Sequence, residues 1–565
     1  MRANQKLKSL AMKSNDIYPV FLIVILVVLA YMNSFSANFV CDDLPGVVDN
    51  YKIHSLKYVP DYFTRGVWEN SAVGMKDNFL YRPFFLLFLA LNYLVWGNNP
   101  FGFHLVNILL HAVNSIMVYF IIKEVLPRKD INFPLWGSLL FAVHPVHVES
   151  VAWISGSTDV ILTFFVSAAF LSYIHYEKKL QYRSFIMTAV FFAGALLSKE
   201  PAIVFPFLVL AWDLSRDGKV HIKRLLVLFA IIILYLLVRS AALGGTVGTL
   251  HIYQAGFIRV AEFAAGYIKL LVVPWPLAMH FKAPSFMPMD IALSAAILAA
   301  VMWTVAKDGR ALFFLIWVFL TLLPSLSLAF HTNPRFAERF VYLPSLGFVV
   351  IMAYALPLLK VPGKVLLIGL SSVVAAFTLL CIVSTKDWRN DEAFYEKVTR
   401  TNPDIITGYQ GLANYYERKG RYAEAIAYEL KSLEFAGDRV SMASVHDILG
   451  RLYGMSGNRG ESIRHYEKEI AIIPRSSMAY VGIGNNYLLN RDNKNALKYY
   501  TMAYEIDNNN YEACYNLGTV YEIFGDYRTA ERYYHLVLKN APEEKYAAVK
   551  GIISKRHPEL RNIGF

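Results

Sequence analysis

From Ile17 to Ser384 the chain is a succession of apolar runs separated by short clusters of Lys and Arg, and that alternation leaves few folds open. The first run, Ile17 to Phe35, is nearly unbroken and long enough to cross a bilayer at helical rise. Hydrophobic residues make up 56% of the 565 positions, and the mean hydropathy is +0.38. An integral membrane protein with room for a second domain is expected. The net charge of +12 does not indicate nucleic acid. The basic residues recur between apolar segments and do not gather on one soluble face, which is the positive-inside pattern.

Only three cysteines occur, Cys41, Cys381 and Cys514, with no metal-type spacing. Neither a disulfide framework nor a zinc site is expected. Arg2, Lys6, Lys8 and Lys13 precede the first run in the manner of a signal peptide. The run is too long for one and lacks a small-residue cleavage site, so an uncleaved first helix is expected.

Apolar length set against Lys/Arg position gives eleven spans. They fall at roughly 17–36, 101–123, 135–150, 158–177, 184–199, 201–214, 222–240, 290–306, 311–330, 340–359 and 364–384. Basic clusters such as Lys178, Lys179 and Arg183, or Arg216, Lys219, Lys223 and Arg224, mark the cytoplasmic loops. The opposite loop from His144 to Asp159 has no Lys or Arg. An odd number of spans puts residues 37–100, 241–289 and everything after 384 on the far side. Phe84 to Trp96 and Val260 to Val273 are too short to span and read as helices lying in the outer interface.

After Trp388 polar residues and Tyr dominate, and a repeat appears. Leu412-Ala413-x-x-Tyr416, Leu449-Gly450-x-x-Tyr453, Ile483-Gly484-x-x-Tyr487 and Leu517-Gly518-x-x-Tyr521 open four units. Ala425, Ser462, Ala496 and Ala530 recur in their second helices. This pattern closely resembles the tetratricopeptide repeat. Its small residues let two helices approach and its aromatics fill the groove between units, which gives a solenoid with a concave face. The expected domains are 1–384 in the membrane, a connecting helix over 385–403, and the repeats over 404–565.

Ionisable residues at a membrane face are expensive unless they serve something there. In this topology the polar motifs converge on the outer face. They are Asp42-Asp43 with Asn50, Arg82-Pro83, His144-Pro-Val-His147-Val-Glu149, Asp159, Ser198-Lys199-Glu200-Pro201, and Arg335 with Glu338-Arg339-x-x-Tyr342. Together with the repeats they resemble the polyprenyl-phosphate-dependent glycosyltransferases of the GT-C fold, specifically the transmembrane and tetratricopeptide-repeat O-mannosyltransferases. The fold that follows is all-α. The resemblance implies transfer of one sugar, typically mannose, from a polyprenyl-phosphate carrier to a protein hydroxyl with inversion. The partners would be that donor, an acceptor protein on the solenoid, and membrane lipids, with no nucleic acid. The site would face the periplasm of a bacterial inner membrane, or the ER lumen in a eukaryote.

The chemistry suits those residues. Asp42 or Asp43 would act as general base on the attacking hydroxyl. Two adjacent acids repel one another, so one should be harder to ionise. Arg82, Lys199, Arg335 and Arg339 would hold the departing phosphate. Asn50, His144, His147, Glu149, Asp159, Glu200, Glu338 and Tyr342 would bind substrate or support those groups. No obligatory metal is expected, although the Asp pair could hold Mg²⁺ or Mn²⁺.

Plainer roles stand beside these. Asp42 and Asp43 could cap the following helix, and Asp159 its own. Arg335, Glu338 and Arg339 could form an interfacial ion-pair cluster. Lys199 and Glu200 could be a snorkelling pair. His144 and His147 look like half a metal site but lack a third ligand fixed by spacing, so a hydrogen-bonded structural role is the stronger reading. A same-fold transferase acting on lipid or surface polysaccharide, and a non-catalytic membrane scaffold, are the rival functions.

Overall fold

The computed structural model describes residues 14–71, 80–126, 133–245, 257–277, 309–327, 336–359 and 361–540, with a few isolated positions beyond them. Among the described residues every element is helical. The chain divides into two compact units, Met1–Lys397 and Val398–Phe565.

The first unit buries polar side chains within an apolar interior and is apolar on its surface. Helix Ser157–Lys179 buries Ser157, Thr158, Asp159, Thr163 and Ser167. Helix Gly363–Ser384 exposes Val365, Leu367, Ile368, Leu379 and Val383. In water such a surface would aggregate, whereas in a bilayer it meets hydrocarbon. Helices pack closely where a side chain is missing. A Cβ on Gly194 would lie 2.7 Å from the Phe165 ring, so Ser157–Lys179 and Tyr182–Ser198 meet only because that position is glycine.

Among the described residues six helices are long and apolar enough to cross a membrane: Pro100–Val125, Ser157–Lys179, Ile222–Ala242, Gly309–Leu326, Glu338–Ala355 and Gly363–Trp388. Asp16–Ala30, Pro83–Trp96, Phe133–Ala142 and Tyr182–Ser198 are apolar but shorter. The described residues do not confirm the expected eleven spans. The segment expected over 135–150 is broken after Ala142, where Pro145 has no N–H to continue the ladder, and two short turns follow. The segment expected over 201–214 starts as the tight turn Glu200–Val204 and continues as Phe205–Arg216. The span expected over 290–306 lies outside the described residues. The two short stretches form the helices Pro83–Trp96 and Phe257–Val272.

The second unit contains four helix pairs: Ile406–Arg418 with Tyr422–Leu433, Arg439–Met455 with Arg459–Ile472, Ser477–Leu489 with Asn493–Ile506, and Tyr511–Ile523 with Tyr527–Asn540. The small residues do what the repeat requires. A Cβ on Gly484 would lie 2.5 Å from the Tyr500 ring, and one on Gly518 2.6 Å from Tyr534. Both tyrosines are buried, so each glycine is the socket for its partner ring. This is an α-solenoid of tetratricopeptide type.

Candidate active site

The acidic doublet sits in a loop set by its neighbours. After the turn Met32–Ser36 the backbone extends to Val40, passes Cys41 and enters the single turn Leu44–Val48, which Pro45 helps start. Asp43 occupies the capping position of that turn, yet its side chain caps nothing. Its Oδ2 accepts from Val40 N–H at 3.0 Å. Its Oδ1 accepts from Ser155 N–H at 2.8 Å and Ser155 Oγ at 2.5 Å. Asp43 is 1% exposed. Burial pushes its carboxyl from 3.8 up to about 7, opposed by the three donors and reinforced by the charge of Asp42.

Asp42 is half-buried and faces a cavity of about 640 Å³, which Asp43 does not line. Four cations line the same cavity, Arg82, Lys199, Arg239 and Arg339, together with Asn50, Ser155, Trp68 and Trp153. Glu200 and several hydroxyl side chains also line it, and its apolar lining includes Phe85, Leu86, Leu89 and Leu236.

Three of the cations are held by acids. Arg82 makes a forked contact to Glu200, with Nη2 2.7 Å from Oε2 and Nε 3.2 Å from Oε1. Lys199 Nζ is 2.5 Å from Asp159 Oδ2, and both side chains are nearly inaccessible. Arg339 pairs with Glu149, whose other oxygen accepts from the Arg339 backbone N–H at 2.9 Å. The Arg339 guanidinium also lies 5.5 Å from the Trp153 ring centre and 4.9 Å from that of Phe340. Carboxylate on one side and cavity on the other fixes each head group while leaving donors for an incoming anion.

The other expected residues divide between the cavity wall and the bundle interior. Asn50 lines the cavity and ties its own turn, donating to Gly46 O at 3.1 Å and accepting from Lys52 N–H at 3.1 Å. Glu149 and Asp159 stand behind the cations they pair with and do not line the cavity. Glu338 is buried beside Arg339, outside the lining. His144 reaches Leu271 O at 2.9 Å and His147 reaches Ser345 Oγ at 2.8 Å. The Tyr342 hydroxyl lies 2.6 Å from His111 Nδ1 and accepts from Asn114 at 3.2 Å. These three side chains are packed within the bundle, not at the cavity. Arg335 lies outside the described residues. Lys199 and Glu200 pair with distant partners and not with each other. Among the described residues no three His, Cys, Asp or Glu side chains converge as metal ligands. Arg239 and Trp153 were not among the expected site residues. Arg239 carried a readable signal, an ionisable group in the last turn of an apolar helix.

Residues 82–244 match the family of dolichyl-phosphate-mannose-protein mannosyltransferases, and residues 406–438 and 511–544 match the tetratricopeptide repeat. Protein O-mannosyl-transferase TMTC3 of Homo sapiens is 22% identical over 518 residues, covering 82% of this chain and 56% of that protein. The chain resembles the protein O-mannosyl-transferases. Protein O-mannosyl-transferase TMTC4 of Homo sapiens is 24% identical over 482 residues, 71% of this chain and 64% of that protein. A shorter stretch of Protein O-mannosyl-transferase TMTC1 of Homo sapiens is 37% identical over 149 residues, 26% of this chain and 16% of that protein. This chain thus spans a little over half the length of the first curated relatives it matches. The mannosyltransferase match encloses Arg82, Glu149, Asp159, Lys199, Glu200 and Arg239, while Asp42 and Arg339 lie outside it.

Proposed function

We propose that the chain is an inverting glycosyltransferase that moves one mannose from a polyprenyl-phosphate carrier to a hydroxyl group of a protein. The observation that carries this reading is a single cavity lined by Asp42, by four cations and by apolar side chains including Phe85, Leu86, Leu89 and Leu236. A lipid-linked sugar phosphate has those three parts, a hydroxyl-bearing sugar, an anion and a hydrocarbon tail.

In the reaction, Arg82, Lys199, Arg239 and Arg339 hold the phosphate. Asp42 accepts the proton of the acceptor hydroxyl as its oxygen attacks the anomeric carbon from the face opposite the phosphate. The bond from that carbon to the phosphate oxygen breaks, and the electron pair leaves on the phosphate, where the cations stabilise it. Asp43, buried beneath Asp42, orients the loop through Val40 and Ser155. Trp153, with Arg339 against its ring, closes the cavity wall beside the cations and helps hold that guanidinium in place. The solenoid presents the acceptor protein. The site opens to the periplasm of a bacterial inner membrane, or to the ER lumen in a eukaryote.

The test is transfer by the purified full chain, with mass spectrometry on candidate acceptor proteins. Hexose should be added from polyprenyl-phosphate mannose and not from a nucleotide sugar. Hexose appearing only on lipid or polysaccharide would replace the protein acceptor with the rival one, and no transfer at all would favour a scaffold. This reaction uses no obligatory metal. Rates should survive EDTA, and loss restored by Mg²⁺ or Mn²⁺ would put an ion at Asp42 and Asp43.

A further inference from the structure

Cys41, the residue before Asp42, has φ +55°. A non-glycine residue rarely adopts this left-handed conformation and holds it only where surrounding contacts impose it. Its backbone N–H donates to Asp391 Oδ1 at 2.7 Å, a contact across 350 residues of sequence. Asp391 is 5% exposed and begins the helix Asp391–Thr401. Tyr395, one turn further along that helix, stands beside the Cys41 thiol, which donates to Asp42 Oδ1 at 3.6 Å. The contacts around this point extend in both directions. Asn38 N–H donates to Arg389 O at 2.8 Å, and Asn33 Nδ2 to Ile382 O at 2.7 Å. Trp388 stacks on Trp153 with ring centres 5.6 Å apart. The strand entering the acidic doublet is therefore laid along the segment from Ile382 to Tyr395.

We propose that Asp391 is a positioning residue for the transfer reaction, holding Cys41 left-handed so that the next residue, Asp42, points into the cavity. A left-handed residue reverses the direction of the peptide that follows it. Were Cys41 to relax to negative φ, the Asp42 side chain would leave the cavity wall, while Asp43 stayed tied to Ser155 and Val40. Asp391 does not line the cavity, so its influence on the site runs through the Cys41 backbone it holds. The proposal rests on the reading of Asp42 as the base, but its geometric part does not.

The test uses the full-length protein and two readouts. In the first, Asp391→Ala lowers kcat about tenfold or more, the factor expected from releasing one left-handed residue, with little change in donor KM. Asp391→Asn keeps an acceptor oxygen and retains the wild-type rate. Glycine favours the left-handed region, so adding Cys41→Gly to Asp391→Ala recovers most of the lost kcat. Equal loss in both backgrounds overturns the proposal. If Asp391→Ala alone does not fold, recovery by Cys41→Gly supports it and failure to recover overturns it. The second readout needs no activity. Alkylation of the Cys41 thiol should accelerate in Asp391→Ala relative to the buried Cys381 and Cys514, and an unchanged rate refutes the clamp. Faster alkylation in a protein whose wild type transfers no mannose would retain the clamp and discard the mannosyltransferase reading.

Discussion

Replacing Ser155 by Ala removes one donor from Asp43 and leaves two. The hydroxyl lies 2.5 Å from Asp43 Oδ1, the Ser155 N–H 2.8 Å from the same oxygen, and the Val40 N–H 3.0 Å from Oδ2. Burial raises the Asp43 carboxyl to about 7, and the Ser155 hydroxyl is the largest influence against it. A hydrogen bond to an ionised group contributes ~1.5–3 kcal/mol, so its loss should move the Asp43 titration up by about one to two pH units. Three donors face this carboxylate, so the ionised form holds the loop best. Wild-type transfer should therefore fall as pH drops through about 7, and in the variant that fall should begin at higher pH.

Stability runs with the opposite sign. The folded carboxyl titrates near 7 and the unfolded one near about 4, so the native state binds more protons between those values. Stability contributed by this group is present below the unfolded value and is lost as pH rises through the folded one. The variant should thus be destabilised most at alkaline pH and least in acid. Initial rates across the range from about pH 5 to 9, with thermal unfolding at both ends, provide the check. An acid limb that stays in place or moves downward in a folded variant would refute the reasoning.

Lys199→Met leaves the Asp159 charge buried without its partner and should destabilise the protein by ~3–5 kcal/mol. Adding Asp159→Asn should restore part of that loss, measured by thermal unfolding in detergent. Glu149→Gln weakens the grip on the Arg339 guanidinium and should raise donor KM more than it lowers kcat, read from initial rates against donor concentration. In the solenoid, Gly484→Ala puts a Cβ 2.5 Å from Tyr500 and should destabilise by ~1–3 kcal/mol in chemical denaturation. Gly460→Ala, with nothing within 4 Å of its Cβ, should be neutral or slightly stabilising.

The repeats were legible because a glycine and the tyrosine it accommodates recur at fixed separation, as Gly484 with Tyr500 and Gly518 with Tyr534. Apolar runs were legible as helices, and the break between 184–199 and 201–214 falls where expected, at Lys199-Glu200. The break at His144-Pro145 was not legible, because it interrupts a segment whose composition alone reads as continuous. Among the site residues, Asp42, Arg82, Lys199, Glu200 and Arg339 share one cavity, while His144, His147 and Tyr342, drawn from neighbouring motifs, do not. Adjacency in sequence could not separate Asp42 from Asp43, because neighbouring side chains leave the backbone in different directions and only the position of Ser155 decides which is buried. Nor could it reveal that Lys199 pairs with Asp159 and Glu200 with Arg82, since those partners are brought up by other helices. Arg239 is marked in the sequence only by its charge in the last turn of an otherwise apolar helix.

The most direct measurement is single-turnover mannose transfer by Asp42→Asn beside the wild type, with donor binding followed on the same samples. The half-buried carboxylate at the cavity wall should be needed for the chemical step alone. Donor affinity should then stay close to wild type while the rate falls by roughly two to four orders of magnitude. A variant that still transfers at the wild-type rate, or one that loses rate only because it no longer binds donor, would contradict the account.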